Sequence, residues 1–205
     1  MSFHITYCIA GITISIDSNH DIFQTKGFLP FVIESKKSYY CVKIKSIDNL
    51  QEIKGKLVVR NNEYMVCYNQ NGYRRYYFEH DGEKRVYAFT SWDWKNRSII
   101  VNYMPYGKRF LNQSGNMLYH LGLEMILLRE KRLIFHAACI RTEQGGLLFT
   151  GSSGAGKSTQ ADLWVENREA VLINGDRPIL SKEEQGWMAW GSPYAGSSRC
   201  YVNDS

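Results

Sequence analysis

Cysteine is scarce in this 205-residue chain and poorly placed for cross-links. The five cysteines (Cys8, Cys41, Cys67, Cys139 and Cys200) make an odd number and include no C-x-x-C pair. That speaks against a zinc site and a disulfide framework, and makes a reducing cytoplasm the simplest home. Long apolar runs are missing too: nothing approaches the ~20 residues a membrane span needs, so no membrane partner is expected. No basic segment precedes an apolar one at the N-terminus, which therefore does not read as a signal peptide. With only four prolines, no Pro- or Ser-rich linker stands out, and neither a repeat nor a low-complexity tract is visible. The charge excess is small, +5, and the basic residues are scattered. This suits a protein that handles phosphates or an acidic partner, and suits a solvated surface equally. What is present, 44% hydrophobic residues, suffices for the core of one large domain or two small ones.

The first hundred residues read as antiparallel β. Ile12, Ile14 and Ile16 alternate with Thr13 and Ser15, and Val42 and Ile44 alternate with Lys43 and Lys45, the period of half-buried strands. Val58–Arg60, Tyr64–Tyr68, Tyr73–Phe78, Arg85–Thr90 and Ile99–Tyr103 continue the series in β-branched and aromatic residues. Asn71-Gly72 and Asp81-Gly82 are turn signals between them, so the strands form a meander. Tyr73-Arg74-Arg75-Tyr76-Tyr77 interleaves bases with aromatics, as a nucleic-acid surface does. Strand alternation splits that patch, however, with Tyr73, Arg75 and Tyr77 on one face, so no nucleic-acid partner is expected.

The character changes near Ser114. Leu118, Leu121, Met125 and Leu128 recur at helical steps, Ser114 or Asn112 is placed to cap the start, and Arg129, Lys131 and Arg132 suit the C-terminal end. Leu133–Ile140 then runs nearly unbroken through apolar residues, as a strand covered on both faces would. The boundary falls near residue 112, dividing a β-rich region (1–112), read as a substrate-selecting module, from a second region (113–205). The expected class is α+β, or mixed α/β.

The most informative stretch lies in the second region. Gly151-Ser152-Ser153-Gly154-Ala155-Gly156-Lys157-Ser158 reads G-x-x-x-x-G-K-S, the phosphate-binding P-loop, followed by Thr159. Its glycines let successive backbone N–H groups point into one concavity sized for phosphate oxygens. Lys157 adds a charge that reaches the terminal phosphates, and the Ser158 hydroxyl suits Mg²⁺. The motif needs a strand entering and a helix leaving. Leu147-Leu148-Phe149-Thr150 is a short apolar run, and Thr159–Arg168 contains no Gly or Pro. The loop would then sit at a helix N-terminus, which favours an anion. A nucleoside triphosphate is the expected ligand, against a glycine turn that matches by accident.

Val171-Leu172-Ile173-Asn174-Gly175-Asp176 is an apolar strand ending in a carboxylate, where a nucleotide-using enzyme keeps its second Mg²⁺ contact or its base. Gly-Asp is also an everyday turn. His136, inside the apolar run, is either a satisfied core histidine or a functional one. Gly191–Arg199 is rich in glycine and serine, either a segment that closes on substrate, with Arg199 offered to phosphate, or a surface turn. Only residues 158–205 follow the P-loop lysine, too few for the several βα units of an ordinary doubly wound kinase at ~30 residues each. Cys200-Tyr201-Val202 reads as the start of another strand, so a missing C-terminal part is expected.

Taken together, Leu133–Ser198 resembles the catalytic domain of the HPr kinase/phosphorylase family, which shares its active-site plan with the phosphoenolpyruvate carboxykinases. The resemblance rests on His136 preceding the P-loop by a short hairpin, on a Gly-x-Ser-Gly-x-Gly-Lys-Ser loop, and on the acid that ends Val171–Asp176. Asn174-Gly175-Asp176-Arg177-Pro178 followed by Gly191-Ser192-Pro193 looks most like the serine kinases of ribosomal-peptide clusters. Where the better-known members carry two adjacent acids, this chain has Gly175-Asp176, which argues against the reverse, phosphorylase activity. The resemblance implies an HPr kinase-like core with a mixed sheet, and a Mg²⁺-ATP-dependent kinase acting on a serine of a protein or peptide. Ser158 and Asp176 would hold the metal, and Asp176, oriented by His136, would take the hydroxyl proton. Relatives of this kind are often homo-oligomers. The competing reading is an ATP-binding module without transfer activity, with a structural or regulatory role.

Overall fold

The computed structural model describes residues 3–35, 37–50, 52–79 and 85–205. The chain divides into two compact units: Met1–Tyr7, Ile12–Gln24 and Ile33–Leu123 form one, and Cys8–Gly11, Thr25–Val32 and Glu124–Ser205 the other. The architecture is mixed α+β, with one large mixed sheet, two small sheets and few helices. Among the described residues, no helix is long and apolar enough to cross a membrane.

The large sheet contains β1 (Phe3–Ile9), β2 (Ile12–Ser18), β3 (Tyr40–Ser46), β4 (Lys56–Arg60), β5 (Tyr64–Asn69), β6 (Gly72–Phe78), β7 (Val86–Asp93) and β8 (Ser98–Tyr103). Their order is β1-β2-β3-β8-β7-β6-β5-β4. β4 to β8 form the expected antiparallel meander. β3, however, pairs in parallel with both β2 and β8, which corrects the wholly antiparallel reading. Side-chain alternation decides which face is buried but leaves strand direction open. The alternation itself holds, since Ile12, Ile14, Ile16, Val42 and Ile44 are all buried. The first hairpin turns one residue earlier than Asn71-Gly72: Asn69 pairs with Gly72, whose φ of 99° suits glycine. The Asp81-Gly82 turn lies outside the described residues. Arg75, Tyr76 and Tyr77 are buried, with the Arg75 guanidinium 4.6 Å from the Tyr64 ring centre and 5.6 Å from that of Trp92.

The single helix expected over 118–128 is two. α1 (Ser114–Leu121) ends at Gly122, which is left-handed (φ 74°), and α2 (Leu123–Arg129) follows at once. The break rotates the buried face, so Leu118 and Leu121 are buried in α1 and Ile126 and Leu127 in α2, while Leu128 is exposed. The N-cap of α1 is Gln113, in place of the expected Asn112 or Ser114, and its side chain makes no capping bond. At the other end, Tyr77 and Thr90 donate hydroxyls to the His120 carbonyl (2.7 and 2.5 Å), and the Trp92 indole donates to the Leu121 carbonyl (2.9 Å). These bonds satisfy carbonyls that a helix end leaves open.

In the second unit, β10 (Ala137–Thr142) lies between β11 (Gly145–Thr150) and β12 (Val171–Asn174), antiparallel to both. β13 (Ile179–Glu183) lies between β14 (Gly186–Trp190) and β9 (Arg132–Ile134), again antiparallel to both. α3 (Lys157–Arg168) covers one face of the first of these sheets, where Ala138, Ile140, Ala161 and Ala170 are buried together with Phe149, Trp164 and Leu172 against them. The continuous strand expected over Leu133–Ile140 is therefore two strands in two sheets, parted at Phe135-His136. Residues 200–202 form no strand. Just after them, the Asp204 backbone carbonyl accepts a bond from the Gly191 N–H (2.8 Å).

Candidate functional site

The P-loop has the flanks its chemistry requires. β11 enters at Thr150, residues 151–156 turn, and α3 begins at Lys157. Gly154 and Gly156 take φ of 80° and 82°, left-handed values that a side chain would strain. The Lys157 ammonium donates to the carbonyls of Gly151 (3.1 Å) and Ser152 (3.0 Å) within its own loop. Ser152, Ser153, Gly154, Ala155, Ser158 and Thr159 are exposed, so the turn and the first residues of α3 are open to a ligand.

Two sheet crossings bring His136 and Asp176 to the same place. The chain leaves β9 and enters β10 at Phe135-His136, and it leaves β12 and enters β13 across Gly175–Pro178. The crossings are stitched together: Phe135 N–H donates to the Pro178 carbonyl (2.9 Å), and Ala137 N–H to the Asp176 carbonyl (3.0 Å). The His136 Nε2 lies 3.4 Å from Asp176 Oδ1, and the Arg177 Nε 3.5 Å from Oδ2. His136 is thus an exposed residue at a crossing, and a core reading of it fails. Because Ala137 pairs with Thr150, the P-loop begins directly beside His136. β11 and β12 both run antiparallel to β10, so their C-terminal ends and the start of β10 share one end of the sheet. Asp176, His136 and the P-loop converge there. Lys157 and Ser158 belong to that loop, though the Lys157 ammonium is turned toward loop carbonyls.

The turn that carries Asp176 is built by a residue that sequence reasoning missed. Asn174 is fully buried, and its side-chain oxygen accepts from the N–H groups of Asp176 (2.9 Å) and Arg177 (2.7 Å). Its amide nitrogen donates to the carbonyl and hydroxyl of buried Ser192 (3.2 and 3.3 Å). The Ser192 hydroxyl in turn donates to the Arg177 carbonyl (2.6 Å). An Asn two residues ahead of the candidate acid is a local turn signal that could have been used. Ser192, eighteen positions away, stood in the sequence only as part of the resemblance, with nothing to mark it as a partner of Asn174. Gly191, Ser192, Pro193 and Ala195 are buried, so this half of the glycine-rich loop is packed, while Arg199 is exposed. Gly196 lies against the acid itself: a Cβ there would come within 2.8 Å of the Asp176 Cβ.

Hard oxygen donors suit Mg²⁺, which keeps several waters and borrows the rest of its shell from phosphates. The Ser158 hydroxyl and the part-buried Asp176 carboxylate are such donors, and they fit that ion. Among the described residues, no group of three or more His, Cys, Asp and Glu is assembled to hold a metal alone. Cys139, on β10, is no rival nucleophile, because burial pushes its thiol up to about 11. No protein-family model matches this chain, and neither a curated protein nor a solved structure does.

Proposed function

We propose that the chain binds Mg²⁺-ATP at Gly151–Thr159 and transfers the γ-phosphoryl group to a serine hydroxyl of a protein or peptide. The observation that carries the reading is the convergence of the P-loop, His136 and Asp176 at one end of the three-stranded sheet. The acceptor class follows from the resemblance to HPr kinase-like serine kinases.

The backbone N–H groups of Gly154–Ser158 cradle the β-phosphate, and the glycine turn and helix N-terminus favour the negative charge. Lys157 leaves the Gly151 and Ser152 carbonyls and bridges the β- and γ-phosphates. Ser158 and Asp176 would hold the Mg²⁺, which would neutralise charge on the phosphates. The serine oxygen bonds to the γ-phosphorus as the bond from phosphorus to the β–γ bridging oxygen breaks. ADP departs with that electron pair, and the serine proton passes to Asp176. His136 orients the carboxylate from one side and Arg177 from the other. Catalysis of this kind is mainly positioning and charge stabilisation.

Asp176→Asn tests the assignment: the amide keeps the size of the side chain but neither takes the proton nor holds the metal equally well. ATP binding should persist while phosphoryl transfer falls by about 10²-fold or more. Transfer undiminished in this variant would remove Asp176 from the mechanism. A second reading, nucleotide binding without transfer, is favoured by one feature: a single acid is available and its two oxygens already face His136 and Arg177. Bound nucleotide with no turnover, on any serine acceptor offered, would select it.

A further inference from the structure

A serine of the chain itself is held against the turn that carries the candidate acid. Gly175 does not take a left-handed φ, so its backbone makes no demand for glycine. Space does: a Cβ at Gly175 would run into the Cβ and Oγ of Ser198. Two residues before that serine, Gly196 packs on Asp176, where an added Cβ would lie 2.9 Å from the carboxyl carbon and 3.0 Å from Oδ2. The short 3₁₀ turn Gly196–Ser198 therefore lies directly on Gly175-Asp176. Ser198 is half-buried there, and Gly196 and Arg199 to either side of it are exposed.

The turn is pinned at both ends, by buried Ala195 and by the Cys200 thiol, which donates to the Leu172 carbonyl (3.2 Å). The Ser198 hydroxyl donates to the Ala195 carbonyl (2.6 Å) and accepts from the Cys200 N–H (3.3 Å). Both partners belong to the same turn, so these bonds close the turn and tie the hydroxyl to nothing else. Arg199, the next residue, takes a left-handed φ of 51°, a conformation that costs a residue with a side chain. The position of the hydroxyl relative to the P-loop follows from the sheet. β11 and β12 flank β10, so Gly151 and Gly175 stand two interstrand spacings apart, about 10 Å. The terminal phosphates and an acceptor hydroxyl would share that gap, and Ser198 stands at its far side.

We propose that Ser198 is itself a phosphoacceptor, modified within its own molecule. Its Oγ bonds to the γ-phosphorus of Mg²⁺-ATP as the bond from phosphorus to the β–γ bridging oxygen breaks. ADP leaves with that electron pair, and the hydroxyl proton passes to Asp176. The proposal rests on the kinase reading and adds to it a modification site in the turn that covers the acid. Because acceptor and acid belong to one compact unit, the effective concentration is high and no second copy of the chain is needed. Exposed Arg199 is a cation suited to the phosphate formed.

The test incubates the full chain with Mg²⁺-ATP, at chain concentrations spanning about tenfold, and follows intact mass and peptide maps over time. One addition of about 80 Da is expected, located at residue 198, with a rate per chain that does not depend on chain concentration. Ser198→Ala should lose the addition while still binding the non-hydrolysable β,γ-imido analogue of ATP in a calorimeter. Phosphate found at another residue, a rate that scales with concentration, or an addition that persists in Ser198→Ala overturns the proposal. The map of the parent chain decides even where the variant binds the analogue poorly. A parent chain that binds the analogue and phosphorylates an offered serine peptide, yet stays unmodified at 198, removes this proposal and leaves the kinase reading standing. A parent chain that does not bind the analogue, or binds it and transfers phosphate to no serine at all, removes both.

Discussion

Asn174→Ala is the perturbation with the most to say about how the acid is held. The side chain makes four hydrogen bonds with no solvent exposure, two of them the short ones from the Asp176 and Arg177 N–H groups. Leaving a buried donor unsatisfied costs about 1–3 kcal/mol. The two N–H groups lose their acceptor outright, whereas the Ser192 hydroxyl keeps its bond to the Arg177 carbonyl. A net loss of about 3 kcal/mol of stability follows, read by urea unfolding from the fluorescence of the five tryptophans. In a turnover assay the variant should lose kcat by about 10²-fold, the order expected when a reacting group is misplaced by an ångström. Its KM for ATP should stay close to the parent value, because Asn174 makes no contact with residues 151–159 in the bonds described. Stability within about 1 kcal/mol of the parent together with unchanged kcat would refute the argument that this network sets the position of Asp176.

Gly122→Ala tests the break between α1 and α2. It puts a side chain at φ 74° and within 2.9 Å of the Trp92 ring, and should cost about 3 kcal/mol in the same urea experiment, summing a left-handed penalty and an overpacking term. The buried His120 makes stability pH-dependent. Its folded pKa, about 4, lies below the ordinary 6.5, so the unfolded chain binds the extra proton first and stability falls as pH drops from 6.5 toward 4. The loss should reach about 3 kcal/mol, and His120→Gln should flatten that part of the pH–stability profile.

The P-loop was legible because its requirements are local. The apolar run Leu147–Thr150 lies within β11, and the Gly- and Pro-free stretch Thr159–Arg168 lies within α3. The meander was legible for the same reason, each strand from β4 to β8 pairing with the next in sequence. Features that depend on distant partners were not. Nothing in the β3 segment itself shows that it pairs in parallel with β2 and β8. The apolar composition of Leu133–Ile140 hid the crossing at Phe135-His136, because no Gly or Pro marks it and both halves suit a strand. That crossing is what turns His136 out toward Asp176. The Gly122 break was visible as a letter, but a lone glycine is tolerated inside many helices, and it is the left-handed φ of 74° together with the Trp92 ring against it that makes glycine necessary here. The Asn174–Ser192 network joins a strand end to a loop eighteen residues on, a match that composition does not encode.

Everything proposed for the second unit depends on the P-loop holding a nucleotide. The most direct measurement is calorimetric titration with Mg²⁺-ATP of the intact chain and of Lys157→Ala, followed by an ATP turnover assay on the same samples. Saturable binding by the intact chain is expected, with affinity reduced by about 10²-fold or more in the variant and turnover lost with it. Absence of binding by the intact chain, or equal binding by the variant, would contradict the account.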